Sequence, residues 1–154
     1  MIIYRLSTAN YITDLSGKGA EIAGGRWNTK GIPVLYTASS RALAVIEVAV
    51  HVPLGIIPTN YAMASIQLPD DASIHEIAID ALPPTWTKNP FIKETQQLGD
   101  SFIKAGKFLA LKVPSASVAG DYNILLNPRH KDFREVQIVK TEAFEFDLRL
   151  FKKP

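Results

Sequence analysis

Short segments rich in β-branched and aromatic residues outnumber the helical segments of this chain, and the two kinds do not alternate regularly. Regular alternation is the signature of a parallel sheet, so its absence favours an α+β fold with a mixed or antiparallel sheet and flanking helices. Strands are predicted over 2–6, 33–38, 60–68, 108–113, 122–126, 136–141 and 144–147. Residues 7–33, rich in Ser, Thr, Asn and Gly, are predicted to form a long loop with about one helical turn.

The clearest predicted helix runs from Arg41 to His51, after Ser40 as its N-cap. It is almost wholly apolar, and Glu47 is its one acidic residue. Leu43 and Val50 lie four residues before and three residues after Glu47, so they share its face. An unpaired buried carboxylate is costly, which makes Glu47 either a functional residue or a helix-edge residue that reaches solvent or an arginine.

A second helix is predicted to begin with Asn89 as N-cap and Pro90 in the first helical position, and to stop at Gly106. Asp100 and Lys104 are spaced as an ordinary ion pair on its surface. Its apolar stripe is predicted to consist of Phe91, Leu98, Phe102 and Ala105.

Length, composition and net charge exclude several classes of protein. A chain of 154 residues is the size of one domain, and we expect a single domain over 1–154. The absence of cysteine excludes disulfides and thiolate chemistry. No apolar run is long enough to span a membrane, and the first residues do not read as a signal peptide, so we expect a cytoplasmic protein. A net charge of +2 is too small for a nucleic-acid surface.

The segment Gly24-Gly25-Arg26-Trp27-Asn28 is the strongest candidate ligand loop. Glycines let a backbone approach a ligand closely, and a guanidinium matches a diphosphate in bidentate fashion. Trp27 would add a rigid surface beside it. The alternative is a tight turn in which Trp27 fills the core and Arg26 is a surface charge.

Two further segments carry polar residues of interest. Arg5 lies on the first predicted strand, where an inward-facing arginine needs a partner. Ser115 follows a strand, and His130 could serve it as a base, but the Gly-x-Ser-x-Gly elbow of the serine hydrolases is missing. The three histidines show no metal-ligand spacing, so no metal site is predicted.

Taken in order, these segments resemble the RES domain family from one end of the chain to the other. The matching segments are Tyr4-Arg5, Gly24 to Asn28 with Gly31, Leu35 to Ala38, Ala44 to Glu47 with His51, Val113 to Ser115, and Asn123 to Pro128 with His130. The family is named for an arginine, a glutamate and a serine, which by motif match are Arg26, Glu47 and Ser115. The stretch 55–107 holds no matching motif.

The resemblance implies an ADP-ribosyltransferase-like fold and a toxin of a type II toxin–antitoxin pair that degrades NAD. It also implies an Xre-like DNA-binding antitoxin as partner, so that DNA contact belongs to the partner. A homodimer within such a complex is left open.

NAD chemistry suits the residues that the motifs select. Cleavage of the nicotinamide–ribose bond builds positive charge on the ribose, which one carboxylate, here Glu47, can stabilise. Arg26 and Arg5 suit the diphosphate, and Tyr36 can stack on nicotinamide or ribose. Ser115 can orient the carboxylate. The catalytic candidates are Glu47, Arg26, Tyr36 and Ser115, and the NAD-binding candidates are Arg5, Arg26, Trp27, Asn28 and Tyr36.

The acceptor of the ADP-ribose is open at this point. Water makes the protein a glycohydrolase, phosphate makes it a phosphorylase, and a protein side chain makes it a mono-ADP-ribosyltransferase. A toxin directed at RNA or a non-enzymatic binding module is the competing class, because aromatic residues and cations also serve stacking and phosphate contact.

Overall fold

A computed structural model describes residues 1–152. Its strands are β1 (Ile2–Thr8), β2 (Leu35–Ala38), β3 (Tyr61–Gln67), β4 (Ile74–Glu76), β5 (Ala110–Pro114), β6 (Tyr122–Leu126) and β7 (Gln137–Phe144). Its α-helices are α1 (Lys18–Ala23), α2 (Arg41–Ala49) and α3 (Lys93–Ala105). Short 3-10 helices cover Ala9–Tyr11, Ile79–Ala81, Lys131–Glu135 and Leu148–Phe151.

The strands form one seven-stranded sheet in the order β4-β5-β6-β2-β1-β3-β7. The β4–β5 pair is parallel, and the other neighbouring strands are antiparallel. The predicted α+β class with a mixed sheet and flanking helices is therefore confirmed. Within residues 1–152, none of the helices combines the length and the apolar character needed to cross a bilayer.

Helices α2 and α3 pack on one face of the sheet, the helix face, and connections between strands pack on the other, the loop face. On the helix face, α2 packs through Leu43 against strand residues such as Met63, and α3 packs through Phe102 against residues such as Leu125. On the loop face, residues such as Ile12 come from the connections between strands and pack against Leu35 and others. Side chains of alternate strand residues point to opposite faces, so strand parity decides which face a polar residue joins.

The predicted helix over 41–51 is confirmed as α2 and ends two residues earlier than expected. Its N-cap is Ser40, whose side-chain oxygen accepts a hydrogen bond of 3.1 Å from the Leu43 backbone N–H. That bond satisfies one of the free N–H groups of the first turn. The predicted helical turn within 7–33 is α1.

The start of the second helix was predicted wrongly. The Asn89–Pro90 peptide bond is cis, and α3 begins at Lys93 with Ile92 as its N-cap. Of the predicted apolar stripe, Phe102 is confirmed as buried, whereas Phe91 and Leu98 are exposed. The buried residues of α3 are Thr95, Gly99, Asp100, Phe102 and Ile103. Small and polar residues share this face with Phe102 and Ile103, because α3 packs against the backbone of the loop that holds Arg26 as well as against the apolar sheet.

Two smaller differences concern the strands. The predicted strand 136–141 is confirmed within β7, which continues to Phe144 and has a register irregularity at Ser65 and Ile66 of its partner β3. The predicted strand 144–147 is wrong, because only Phe144 of it lies in a strand. Strand β4 was not predicted, since three residues with half-exposed and exposed side chains leave no apolar alternation to detect.

Candidate active site

Glu47 lies on α2 above the helix face of the sheet, and both of its carboxylate oxygens accept hydrogen bonds from serine hydroxyls. Ser115 Oγ donates to Oε1 at 2.8 Å, and Ser117 Oγ donates to Oε2 at 3.2 Å. Glu47 itself is half-buried. The carboxylate is therefore oriented and still open to solvent on one side.

Ser115 is buried at the end of β5, with 4% of its surface exposed. Its hydroxyl oxygen accepts hydrogen bonds of 3.0 Å from the backbone N–H groups of Ser117 and Val118. A hydroxyl has one proton to donate, and these two acceptor contacts leave that proton directed at Glu47. Ser115 is consequently bound as an orienting donor to the carboxylate. It is not paired with His130, which instead caps the short helix 131–135.

Arg26 is held by the segment that precedes α3. Its guanidinium donates to the backbone oxygens of Trp86 at 2.7 Å and Lys88 at 2.9 Å, and to Asn89 Oδ1 at 2.8 Å. Partial burial lowers the pKa of Arg26, and the negative charge of Glu47 counteracts that shift. The guanidinium and the Glu47 carboxylate are thus within electrostatic reach of each other.

Tyr36 connects the Arg26 loop to the sheet. Its hydroxyl accepts a hydrogen bond from the Trp27 backbone N–H at 3.0 Å and donates to Asn28 Oδ1 at 2.7 Å. Burial raises the pKa of the Tyr36 phenol above its usual range, so it stays protonated. A Cβ at Gly25 would lie 2.7 Å from the Tyr36 hydroxyl, which explains why the loop has glycine at that position.

The buried side chains of Trp27 and Asn28 support this loop. Trp27 is 3% exposed and packs against Trp86 with ring centroids 6.3 Å apart. Asn28 is fully buried, and its side-chain amide donates to the backbone oxygens of Ala20 and Ile32. The turn with a core tryptophan, weighed as the alternative for Trp27, matches this arrangement. Neither side chain has the exposed surface that the predicted contact with NAD requires.

Arg5 lies on the other face of the sheet. It is paired with Ala64 of β3, a residue of the loop-face core, whereas Tyr36 packs in the helix-face core. Its guanidinium donates to the backbone oxygens of Tyr11 at 2.7 Å and Ile12 at 2.8 Å. The structure therefore brings Arg26, Tyr36, Glu47 and Ser115 to one face and does not bring Arg5 to them.

Several supporting residues were missed by the sequence reasoning, and most of them lie on or near α3. Gln96 donates to the backbone oxygens of Gly25 and Asn28, and Asp100 accepts from the N–H and hydroxyl of Thr29. The predicted Asp100–Lys104 surface pair is wrong for this reason, since Asp100 is buried against the loop. The missed residues are Asn89, Gln96, Gly99, Asp100 and Ser117.

A weak signal for this contact is present in the sequence. Gly99 stands in the middle of α3, where glycine is unfavourable, and a Cβ there would overlap the backbone oxygen of Trp27. An interior glycine of this kind indicates close approach of another backbone. Nothing in the spacing of Gln96 and Asp100 alone reveals their partners.

The arrangement places a carboxylate, Glu47, and a guanidinium, Arg26, on the same face of the protein. A fixed carboxylate can stabilise developing positive charge or accept from sugar hydroxyls, and a guanidinium suits phosphate oxygens. Residues 1–152 contain no group of three or more His, Asp or Glu side chains placed to hold a metal ion.

Several known proteins have sequences similar to this chain along most of its length. The chain is 39% identical over 154 residues to "Toxin Res" of Photorhabdus laumondii, covering 99% of this chain and 98% of that protein. It is 37% identical over 142 residues to the "Prs ADP-ribosylating toxin" of a Sphingobium strain, covering 91% and 88% of the two chains. "Toxin Res" of Yersinia enterocolitica is 35% identical over 152 residues, covering 97% and 99%.

A solved structure shares the fold. A chain in the crystal structure of the Mycobacterium tuberculosis MbcT-MbcA toxin–antitoxin complex superposes with a TM-score of 0.73 at 20% identity, covering 94% of this chain and 84% of that chain. The likeness shows that the two chains share a fold. The RES domain model matches residues 2–148. Since that match and the relatives extend along nearly all of its length, the chain belongs to the RES domain family.

Proposed function

We propose that this protein is the toxin of a toxin–antitoxin pair and that it cleaves the nicotinamide–ribose bond of NAD in the cytoplasm of its host. The observation that carries the proposal is the Glu47 carboxylate, oriented by two serines and within electrostatic reach of Arg26. The names of the relatives support it, because two are called Toxin Res and one an ADP-ribosylating toxin.

Glu47 is proposed to act on the ribose. When the bond between ribose C1′ and the nicotinamide ring nitrogen breaks, its electron pair leaves with the ring, which departs as neutral nicotinamide. Positive charge then develops on the sugar, and a preorganised carboxylate stabilises it. Because the nicotinamide ring is already cationic in NAD, no general acid is needed for it to leave.

The other residues of this face are proposed to bind and orient. Arg26 has five N–H donors, and three of its hydrogen bonds fix the side chain to the segment 86–89, so the remaining donors can face the diphosphate. Tyr36 offers its ring to nicotinamide or ribose while its hydroxyl holds the loop. Ser115 orients Glu47.

The proposal is tested by incubating the purified protein with NAD and measuring nicotinamide release by chromatography. We expect release by the unchanged protein and a loss of about 100-fold or more in Glu47→Gln, which keeps the shape of the side chain and removes its charge. Equal rates in the two proteins, with equal thermal stability, would contradict the role of Glu47.

The acceptor is either a small molecule or a protein. We propose water or phosphate as acceptor. The oxygen of water bonds to C1′ and its proton passes to solvent, whereas a phosphate anion bonds to C1′ through an oxygen that carries no proton. The second candidate is a host protein side chain, and the Sphingobium relative, by its name an ADP-ribosylating toxin, is the observation that favours it. Nicotinamide release with and without phosphate separates the first two acceptors. Transfer of adenylate-labelled NAD onto protein in a host lysate identifies the third.

An RNA-directed toxin or a binding module without enzymatic activity makes a different prediction. In that case RNA binding would weaken with salt and survive Glu47→Gln. We expect no such binding, because the net charge of the chain is only +2.

The partner is proposed to be an Xre-like DNA-binding antitoxin that restrains the toxin. Negative charge on its contacting segment would complement Arg26 at the site. Co-expression with the neighbouring reading frame should yield a stable complex with reduced nicotinamide release. Light scattering of that complex and of the free chain then determines the stoichiometry and whether the toxin forms a homodimer.

A further inference from the structure

Ser117 contacts the second oxygen of the Glu47 carboxylate, and its own contribution to the reaction has not yet been separated from that of Ser115. Its hydroxyl donates to Oε2 at 3.2 Å, while Ser115 holds Oε1. The two serines differ in exposure, because Ser115 is buried and Ser117 is exposed. An exposed serine in a loop is ordinarily free to choose its rotamer, so its bond to a half-buried carboxylate needs a structural cause.

The cause is the backbone of the turn between β5 and β6. The Ser117 N–H donates to Ser115 Oγ at 3.0 Å, and the Val118 N–H donates to the same oxygen. The turn is closed further by Ser115 N–H to the Asp121 backbone oxygen at 2.8 Å. The buried serine thus fixes the backbone of the exposed one and places its side chain over the carboxylate.

We infer that Ser117 is a second positioning residue, which with Ser115 fixes the plane of the Glu47 carboxylate. A carboxylate held through one oxygen can still rotate about the bond to its side chain. Donors on both oxygens remove that rotation and leave each oxygen a lone pair for a ligand. A carboxylate preorganised in this way stabilises charge on a sugar without reorganising at the moment of reaction. The kinetic part of this inference rests on the proposed function.

The matched substitutions are Ser117→Thr and Ser117→Val. Threonine and valine have nearly the same shape, and only threonine can donate to Glu47. We expect kcat for nicotinamide release to fall about fivefold to tenfold in Ser117→Val, and to stay within about twofold of the unchanged protein in Ser117→Thr. KM for NAD should change by less than about twofold in both, because Ser117 acts through Glu47.

Ser101→Ala on the exposed side of α3 is the control, and it should leave both constants unchanged. Crystal structures of the Thr and Val variants supply a second readout that does not need activity. The carboxylate of Glu47 should keep its orientation in Ser117→Thr and rotate or become mobile in Ser117→Val.

The outcomes separate the two claims. Equal kcat in the Thr and Val variants, or an unchanged carboxylate in the Val structure, overturns the role of Ser117 while nicotinamide release by the unchanged protein still supports the proposed function. Absence of release by the unchanged protein overturns the proposed function, and the two crystal structures then decide the positioning role alone. A rise in KM with constant kcat in Ser117→Val would make Ser117 a ligand contact and also overturn the inference.

Discussion

Arg5 and Arg26 are both arginines that suit a diphosphate, and the fold gives them opposite surroundings. Arg26 lies on the helix face, within electrostatic reach of Glu47, and is fixed by oxygens of the segment 86–89. Arg5 lies on the loop face, where it donates to the backbone oxygens of Tyr11 and Ile12. One arginine therefore belongs to the candidate site, and the other stabilises a connection between strands.

Arg5 points to the loop face because of its position in the alternation of side chains along β1, and not because of its residue type. Arg5 has the parity of Ile3, which packs in the loop-face core, and its neighbour Tyr4 packs on the helix face. A shift of one residue would have moved the guanidinium to the other side of the sheet. A family motif that contains Tyr4-Arg5 does not by itself say which of the two side chains faces the site.

The largest expected effect concerns how α3 supports the Arg26 loop. Gly99→Ala places a methyl group onto the backbone oxygen of Trp27, so the loop or the helix has to move. We expect a loss of about 3 kcal/mol in the free energy of unfolding, measured by urea denaturation. Gly19→Ala on α1 is the control, since a Cβ there meets nothing within 4 Å, and it should be neutral or stabilising. Similar stability of the Gly99 and Gly19 variants would show that the contact with Trp27 is not tight.

The next effect concerns Arg26 itself. Arg26→Lys keeps the charge but cannot reproduce the three directed hydrogen bonds or face a diphosphate with a planar fork. We expect KM for NAD to rise about tenfold to 100-fold, measured from initial rates of nicotinamide release. Arg129 is exposed, so Arg129→Lys is the matched control, and it should leave KM for NAD unchanged. An unchanged KM in Arg26→Lys would contradict the assignment of Arg26, and not Arg5, to the candidate site.

Tyr36→Phe tests the link between the loop and the sheet. Without the hydroxyl, the Trp27 N–H and Asn28 Oδ1 lose their partner, and we expect a loss of about 1–2 kcal/mol in the free energy of unfolding together with a higher KM. Tyr11→Phe, at a side chain that is 64% exposed, should leave stability unchanged. If Tyr36→Phe were as stable as the unchanged protein, the hydroxyl would not be what anchors the loop.

The smallest effect is expected for Arg5. Arg5→Met removes two hydrogen bonds to partly exposed backbone oxygens and keeps part of the apolar contact, so we expect about 1 kcal/mol less stability. KM for NAD should stay within about twofold of its original value. A tenfold rise in KM at unchanged stability would place Arg5 at the ligand and remove the contrast with Arg26.

Much of the fold could be predicted from local patterns. Ser40 with the apolar run behind it identified α2. The strand β3 was identified by the alternation of Ala62, Ala64, Ile66 and Leu68 with Met63, Ser65 and Gln67. The beginning of α3 could not be predicted, because Asn89-Pro90 satisfies the usual rule for a helix start and yet forms a cis peptide bond before the helix. Asn89 Oδ1 accepts a hydrogen bond from Arg26, a tertiary contact that the local sequence does not reveal.

Some residues of the candidate site could likewise be predicted from the sequence, and others could not. Glu47 could be selected because a lone acidic residue on an apolar helix is unusual, and Ser115 because the family motif contains it. Gln96, Asp100 and Ser117 could not, since their partners lie about 70 residues away along the chain. Trp27 and Asn28 were predicted as ligand contacts from the same run of residues that holds Arg26, although burial makes them the support of the loop.

A crystal structure of Glu47→Gln with NAD bound would show whether NAD binds on the helix face, between residue 47 and Arg26. We expect NAD on the helix face, with the nicotinamide ribose against residue 47 and the diphosphate against Arg26, while Arg5 keeps its hydrogen bonds to Tyr11 and Ile12. NAD bound at Arg5 on the loop face, or on the helix face with its ribose remote from residue 47, would contradict it.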